Sequence, residues 1–460
     1  PSWTISILCD DGVIDVDIYE DRVAARRPHN AIAPIDSFFR NLKMGIGASG
    51  DAAKGLLSFG GELTRLSGPS DGFTRSMRSS INKFHDALNA GEKPRDDAGG
   101  RLVKICSDIA ETVSVTPPLQ TPAPAEDTTY NVAVIGGTGF IGAHLTKKLL
   151  DAGKRVAVVV RNTENLPKIF HDERVGVFSA SISEKGAIQD ILKRCDQVVN
   201  LAHGGGGSSR QQIIERMVGG AKNVAEAARA SELERLIFVS SSAALFLGDE
   251  GVTITAASAP DVRPDDRADY AAAKIECEHA MRGISDIPVV TMRPAIVVGD
   301  GGGAFHSALG AYENETHCAG WNAGRNPLPF VLAEDVADAI VAALNVELIT
   351  VRGKSFNLVG DVRWTARQYT EELAAATGRP LRFHSVWPGR LAAEEWLKFA
   401  VKKIAGRKDV AAPSFRDLKS RGMITLFDTT EEKRVLGWSP CADAAEFRAR
   451  AIEIHAPPKL

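Results

Sequence analysis

The sequence has few of the features that would direct it to a membrane or a nucleic acid. Its most apolar stretches, such as residues 156–160 and 337–346, are far shorter than the roughly 20 residues needed to cross a bilayer. The 55 basic and 58 acidic residues leave a net charge of −3, so no overall basic field attracts nucleic acid or anionic lipid. We therefore expect neither a membrane nor a nucleic acid as partner.

Cysteine is also scarce, and the six cysteines are too scattered to form a CxxC pair that would bind zinc or do redox chemistry. We expect reduced, buried thiols and no metal site. No basic stretch followed by an apolar core opens the chain, which favours a cytoplasmic location over secretion. The first residue is proline, and strand-like sequence begins at once, so we interpret the chain as a piece of a longer protein.

The length of 460 residues predicts two or three domains. Residues 114–127 contain four prolines among small and polar residues, which is typical of an extended linker. We expect a partial α+β domain over 1–113, this linker, and a second domain over 128–457. Before the linker, two alternating strands around Gly12 predict an antiparallel hairpin, and helical periodicity predicts helices over 76–89 and 99–113.

After the linker, short β-branched runs alternate with helical patterns. Nearly continuous apolar strands of this kind are typical of a parallel sheet that is covered by helices on both faces. The pattern predicts an α/β fold with a doubly wound, Rossmann-type sheet. The predicted strands lie in the segments NVAVIG, RVAVVV, DQVVNLA, RLIFVSS and IPVVTMRP.

The first of these strands runs into Gly136, Gly139 and Gly142, and an amphipathic helix follows. A dinucleotide pyrophosphate must lie against backbone N–H groups at a helix N-terminus, and a Cβ at these positions would hold it away. The flanking strand and helix favour a dinucleotide site over an ordinary tight βα turn.

The end of the next predicted strand bears on the choice of cofactor. Val160 stands where an acidic residue would contact the ribose of NAD, and Arg161 and Asn162 follow it. A guanidinium there would attract the 2′-phosphate of NADP, so we expect NADP, with NAD as a possibility. The alternative is that Arg161 is a solvated charge at a strand end.

Tyr270 and Lys274 are four residues apart in a helical stretch, so their side chains emerge on one face. A neighbouring ammonium favours the phenolate, and Tyr270 could then exchange a proton with a substrate hydroxyl while hydride moves to or from the cofactor. The predicted strand RLIFV ends in Ser240, Ser241 and Ser242, at the sheet edge where such folds bind ligands. A hydroxyl there can polarise the reacting oxygen, although the serines could simply cap the strand end.

The order of GGTGFIG, VSSS, YAAAK and TMRPAIVVGDGGG resembles the extended short-chain dehydrogenase/reductases, or NAD-dependent epimerase/dehydratase family, over residues 128–455. The resemblance implies that residues 128–457 form a dinucleotide-binding core with a C-terminal substrate-binding lobe. It also implies that Ser242, Tyr270 and Lys274 form the catalytic set, and that the segment after Pro294 helps to close the cofactor site. The predicted cofactor-binding residues are Gly136, Gly139, Phe140, Ile141, Gly142, Arg161, Asn162, Leu201, Ala202, Ser240, Tyr270, Lys274 and Pro294.

The sequence departs from the family pattern at several positions. Ser181 stands where an Asp commonly contacts adenine, and Met217 where an Asn often supports the site. Ala243 and Ala244 replace the Asp-Glu pair of the sugar 4,6-dehydratases, so reduction, oxidation or epimerisation remains. The segment SINKFHDALNAGEKPRDDAGGRLVKICSDIAETV resembles the closing helices of the Gfo/Idh/MocA oxidoreductases, which implies a truncated fusion protein.

Three other segments offered candidates. His203, followed by Gly204–Gly207, could border the nicotinamide or form a surface turn. In Thr316–Arg325, the Arg325 guanidinium could meet a diphosphate or be solvated. The basic run Lys398–Lys408 is typical of a solvated helical face.

Taken with the resemblances, these patterns predict an NAD(P)-dependent oxidoreductase or epimerase that acts on a hydroxyl or keto group of a sugar, and we expect that sugar to be a nucleotide sugar. The alternative is a redox-inactive NADP-binding sensor on the same fold. A third hypothesis makes the N-terminal piece an assembly module, because antiparallel sheet edges can pair into homo-oligomers.

Overall fold

The computed structural model divides the chain into two compact units, residues 1–116 with 396–412 and residues 117–395 with 413–460. It describes residues 127–456 except 204–206, 208, 314–315, 379 and 405–411, together with residues 124–125 and short stretches before them.

In the first unit the described backbone includes the strands β1 (Thr4–Cys9), β2 (Gly12–Asp17) and β3 (Arg22–Arg26). They form one antiparallel sheet in the order β1-β2-β3, with Cys9 paired to Gly12, which confirms the predicted hairpin. The described positions 79–82, 84–86, 89, 104 and 107 are helical, as the periodicity predicted. Most of the segment that resembles the Gfo/Idh/MocA family and most of the linker lie outside the described residues.

The second unit is built on a parallel sheet of seven strands. They are β4 (Tyr130–Ile135), β5 (Val156–Val160), β6 (Val175–Ser179), β7 (Cys195–Asn200), β8 (Arg235–Val239), β10 (Val289–Pro294) and β15 (Ser355–Leu358). Their order across the sheet is β15-β10-β8-β7-β4-β5-β6, so the chain reverses its direction of winding between β4 and β7. The doubly wound fold and five predicted strands are confirmed. The sequence reasoning did not single out β6 and β15 as strands.

Helices cover both faces of this sheet because alternate residues of each strand point to opposite sides. In β4, Val132 and Val134 pack on one face with the first helix of this unit, while Ala133 and Ile135 pack on the other. The flanking helices are α1 (Phe140–Asp151), α2 (Lys185–Leu192), α3 (Arg210–Ala230), α4 (Asp269–Arg282) and α5 (Ala333–Asn345).

A smaller lobe packs beyond the carboxyl ends of the strands around its own core, which includes Phe330, Tyr369 and Phe447. Its strands pair as β9 (Thr253–Ile254) with β17 (Leu426–Phe427), β11 (Ile296–Val298) with β14 (Phe330–Leu332), and β13 (His317–Gly320) with both β12 (Gly310–Glu313) and β16 (Arg382–Ser385). Later helices are α6 (Leu348–Val351), α7 (Ala366–Thr377), α8 (Pro388–Ile404), α9 (Phe415–Arg421), α10 (Thr430–Leu436) and α11 (Ala444–Ala451). Of the described helices, none has the length and apolarity that a bilayer span requires.

Candidate functional site

The glycine-rich turn joins β4 to α1 through backbone contacts that leave no room for side chains. Gly136 has φ +83°, a conformation that glycine adopts at little cost. A Cβ at Gly142 would lie 2.4 Å from the carbonyl oxygen of Gly136, and one at Gly139 would lie 3.2 Å from the same atom. Helix α1 begins at Phe140, so its unpaired N–H groups face outward at this turn. This arrangement fits a dinucleotide pyrophosphate.

A cavity of about 510 Å³ opens beside the turn, at the carboxyl ends of β4, β5, β7, β8 and β10. It lies where the winding of the sheet reverses, which is the usual ligand position in this class of fold. Predicted cofactor residues that line it are Gly136, Gly139, Phe140, Ile141, Gly142, Arg161, Leu201, Ala202, Ser240, Tyr270, Lys274 and Pro294. The size and the glycine cradle suit a nicotinamide dinucleotide.

Two of the predicted site residues are not part of this wall. Asn162 is absent from the described lining, and its Oδ1 instead accepts a 2.9 Å hydrogen bond from the backbone N–H of Glu164. Ser242 is only 4% exposed, at the start of the short 3₁₀ helix Ser242–Ala244, and is not among the described lining residues either. Ser241, which precedes it, does line the cavity, and its hydroxyl accepts a bond from the N–H of Ala243.

Tyr270 and Lys274 both lie in the first half of α4 and both line the cavity. The tyrosine is 47% exposed and the lysine 4%. Lys274 Nζ lies 5.9 Å from the centre of the Tyr270 ring and donates a 3.1 Å hydrogen bond to the carbonyl of Val239, at the end of β8. A buried cation is therefore fixed beside an accessible phenol.

Behind the cavity wall lies a buried ion pair that the sequence reasoning missed. Glu278 Oε2 accepts a 2.7 Å bond from Arg293 Nη2, and the side chains are 1% and 0% exposed. Ser240 Oγ donates a 2.6 Å bond to the other oxygen, Oε1. The spacing of four residues from Lys274 to Glu278 was the available signal, together with an arginine inside the apolar strand VVTMRP.

Asn200 is a second missed residue. It is 1% exposed at the end of β7, and its Oδ1 accepts a 3.1 Å bond from the N–H of Ala202. This bond fixes the two lining residues Leu201 and Ala202 against the glycine turn, where the N–H of Leu201 also bonds to the carbonyl of Ile135.

The other residues that the sequence singled out lie partly in the cavity, partly in the core and partly on the surface. Ser181, Arg161 and His203 line the cavity, with Arg161 and His203 exposed. Met217 is packed in the core between α3 and the sheet, so it contributes apolar contact. Cys318 is fully buried in the small lobe, and Arg325 is exposed. Of the basic run, residues 398–404 belong to α8, and 405–408 lie outside the described residues.

A smaller cavity of about 130 Å³ lies at the opposite edge of the sheet, near Asn131, Asp196 and Glu234. None of the predicted site residues lines it. The large cavity is therefore the candidate site.

Comparisons with known proteins match the part of the chain that holds the large cavity. Residues 132–358 match the family model described as the NAD dependent epimerase/dehydratase family. That segment includes every residue lining the large cavity. Among curated proteins, the chain is 31% identical over 128 residues to a dihydroflavonol 4-reductase of Solanum lycopersicum, covering 25% of this chain and 34% of the relative.

Two further relatives differ in how much of their length is matched. A decarboxylating sterol-4-alpha-carboxylate 3-dehydrogenase of Candida albicans is 26% identical over 37% of this chain and 51% of its own length. A UDP-N-acetyl-alpha-D-glucosaminuronate decarboxylase of Bacillus cytotoxicus is 23% identical over 55% of this chain and 84% of its own length. The chain thus spans about a third of the dihydroflavonol reductase and about half of the sterol dehydrogenase, but most of the decarboxylase.

Solved structures share the fold. MoeE5 in complex with UDP-glucuronic acid and NAD has a TM-score of 0.51 at 21% identity, covering 70% of this chain and 98% of that chain. The UDP-glucose-4-epimerase of Stenotrophomonas maltophila, with bound NAD and formylated UDP-arabinopyranose, has a TM-score of 0.52 at 17% identity, covering 70% and 96%. At these identities the likeness concerns the fold alone.

Proposed function

We propose, from the premise that residues 132–358 form a domain of the NAD dependent epimerase/dehydratase family, that this chain is an NAD(P)-dependent oxidoreductase or epimerase. Its proposed substrate is a hydroxyl or keto group of a sugar, carried as a nucleotide sugar. The observation that carries the proposal is the Tyr270–Lys274 pair in the wall of the cavity beside the glycine turn. A relative of which the chain covers 84%, the UDP-N-acetyl-alpha-D-glucosaminuronate decarboxylase, is named for a nucleotide-sugar reaction, which supports the substrate class.

In this proposal Tyr270 exchanges the proton of the substrate hydroxyl, and the bound nicotinamide supplies the hydride acceptor or donor. The Lys274 ammonium stabilises the phenolate from within the wall, and the carbonyl of Val239 fixes its position. Ser242 is the proposed third member of the set. Ser241 lines the cavity, and its hydroxyl hydrogen is not used by the bond it accepts from Ala243, so it can donate to a ligand.

Replacing the phenol tests the proposed acid/base role. For Tyr270→Phe we expect turnover to fall by about 10²- to 10⁴-fold, because the proton would have no carrier, while cofactor binding persists. In the oxidising direction, the absorbance of NADPH is followed with NADP⁺ and UDP-glucose or UDP-glucuronic acid. In the reducing direction, the loss of NADPH absorbance is followed with a dihydroflavonol as the substrate. Tyr130→Phe, in a buried tyrosine at the far end of β4, is the control. Undiminished turnover in Tyr270→Phe would show that the acid/base role of Tyr270 is wrong. Cofactor binding without turnover in the unaltered protein would instead favour the redox-inactive NADP-binding sensor.

We propose NADP as the preferred cofactor, with Arg161 as the partner of its 2′-phosphate. Arg161 lines the cavity from the end of β5 and is exposed, so its guanidinium is available to an anion. Arg161→Ala is expected to weaken NADP⁺ binding by about 10- to 100-fold and leave NAD⁺ binding nearly unchanged, since a charge-assisted hydrogen bond is lost. The control is Arg155→Ala at the opposite end of the same strand. Equal losses for both cofactors in Arg161→Ala would contradict the assignment.

We propose that residues 1–113 are the closing part of a Gfo/Idh/MocA-type domain, that the boundary lies within 114–127, and that this piece contributes no catalysis of its own. The antiparallel pairing of β1, β2 and β3 is consistent with such a domain. The cytoplasmic location and a homo-oligomeric state also stay predictions.

A further inference from the structure

The ion pair between Glu278 and Arg293 lies outside the candidate site but adjoins three residues that line the cavity. Arg293 is the residue before Pro294, which lines the cavity at the end of β10. Glu278 lies one helical turn after Lys274 on α4. Ser240, at the end of β8, donates its hydroxyl to Glu278. A single buried contact therefore connects β8, β10 and α4 directly behind the lining.

Every charge in this contact is well partnered. Besides the Nη2 contact, Arg293 Nε donates to both carboxylate oxygens of Glu278, at 2.9 Å and 3.2 Å, and Nη1 donates to the carbonyl of Ser258 at 2.8 Å. Both carboxylate oxygens accept from the guanidinium, and the Ser240 hydroxyl donates its hydrogen to Oε1. Ser240 is thus held in one orientation from behind.

The physical role of such a pair is geometric more than stabilising. Burying two charges costs about as much desolvation energy as their attraction returns, so an apolar pair of similar volume would stabilise the core equally well. What an apolar pair would lack is direction, because dispersion contacts do not fix the angle between a helix and two strands. Lys274 Nζ bonds to the carbonyl of Val239, next to Ser240, so α4 is attached to the end of β8 at two successive residues.

We propose that Glu278 and Arg293 are positioning residues: together they hold Ser240 and α4 so that the cavity fits the nicotinamide end of the cofactor. The inference rests on the proposed function, since it assumes that a nicotinamide dinucleotide binds here. We assign the ion pair to the nicotinamide end because it adjoins Ser240, Lys274 and Pro294, which line the cavity near β8, α4 and β10. Arg161 and Ser181, which follow β5 and β6, line the opposite end of the cavity.

The test compares two ligands that differ only at the nicotinamide end. Equilibrium dissociation constants are measured for NADP⁺ and for 2′-phospho-ADP-ribose, which lacks the nicotinamide, and their ratio isolates that end. The first variant is Glu278→Gln, which removes the charge at nearly constant shape. The second joins Glu278→Leu with Arg293→Met, an apolar replacement that is expected to keep the fold. Glu276→Gln, the same chemical change at a partly exposed position of α4, is the matched control.

We expect both variants to reduce the affinity advantage of NADP⁺ over 2′-phospho-ADP-ribose by about tenfold, the scale of one hydrogen bond to a charged group. The control and the affinity for 2′-phospho-ADP-ribose should hardly change. An unchanged advantage in the apolar double variant would overturn the positioning role, as would an equal loss of affinity for both ligands. If the unaltered protein bound neither ligand, the proposed cofactor site itself would be wrong.

Discussion

Tyr270 and Lys274 show what single residues contribute at the candidate site. Their spacing of four puts both on one face of α4, and that face closes one side of the cavity. The sequence could therefore predict the pair. It could not predict the partner of Glu278, because Arg293 lies 15 positions away on a strand and only the packing of α4 against β10 brings the two charges together. The same holds for the orientation of Ser241 and Ser242, which depends on a short 3₁₀ turn.

His306, in the small lobe, gives a pH-dependent prediction at the residue scale. Burial lowers the pKa of its imidazole, whose Nδ1 accepts a hydrogen bond from the N–H of Ala308. Because the folded pKa lies below the unfolded value of about 6.5, this histidine contributes stability above pH 6.5 that is lost as the pH falls through the folded pKa.

We therefore expect the unfolding midpoint in urea to decrease between pH 7.5 and 5.5. In His306→Asn, whose Oδ1 can still accept from Ala308, that decrease should be smaller. His279→Gln, at an exposed histidine of α4, serves as the comparison. If His306→Asn keeps the full decrease, the titrating group lies elsewhere.

At the scale of elements, the helix that carries Tyr270 is held at its start by a helix near the C-terminus. Asp417 of α9 accepts a 2.8 Å bond from the backbone N–H of Ala268, the residue that caps α4. Arg267 is buried between Asp417 and Asp261, and its Nη1 donates to Asp261 at 2.8 Å. The start of α4 is thus held by a contact between residues 149 positions apart in the sequence, and no local sequence pattern predicts such a contact.

Asp417→Asn is expected to lower the free energy of unfolding by about 1–3 kcal/mol, because the buried Arg267 and the more exposed Arg421 both lose a charged acceptor. The control is Asp249→Asn, which removes the partner of Lys419 of α9 in an exposed ion pair. It should lower the free energy of unfolding by less than about 1 kcal/mol. Chemical denaturation of both variants gives the comparison. Equal, small effects would show that the α9 contact does not anchor α4.

At the scale of the whole molecule, the cavity is contained within one compact unit. All of its lining residues fall between Ile135 and Val297, within the unit formed by residues 117–395 and 413–460. Among the described residues, none of the N-terminal unit lines the cavity.

Removal of residues 1–116 is accordingly expected to leave NADPH binding nearly unchanged, as measured by the fluorescence of the bound nucleotide. Light scattering on the same two proteins tests whether the N-terminal piece assembles the chain, since a change from oligomer to monomer would support that role. A monomer in both cases would remove the assembly hypothesis. Loss of NADPH binding on truncation would show that the N-terminal unit supports the site.

The sequence by itself determined the doubly wound sheet, the glycine turn and the Tyr270–Lys274 pair, because each depends on residues close together in the chain. Strand hydrophobicity, the absence of a Cβ and helical spacing are all local properties. The tertiary structure alone decided which side chains form the cavity wall, that Asn162 and Ser242 stand apart from it, and that Glu278 and Arg293 meet behind it. These outcomes depend on how α4 and the strand ends pack, and packing is a property of the whole core.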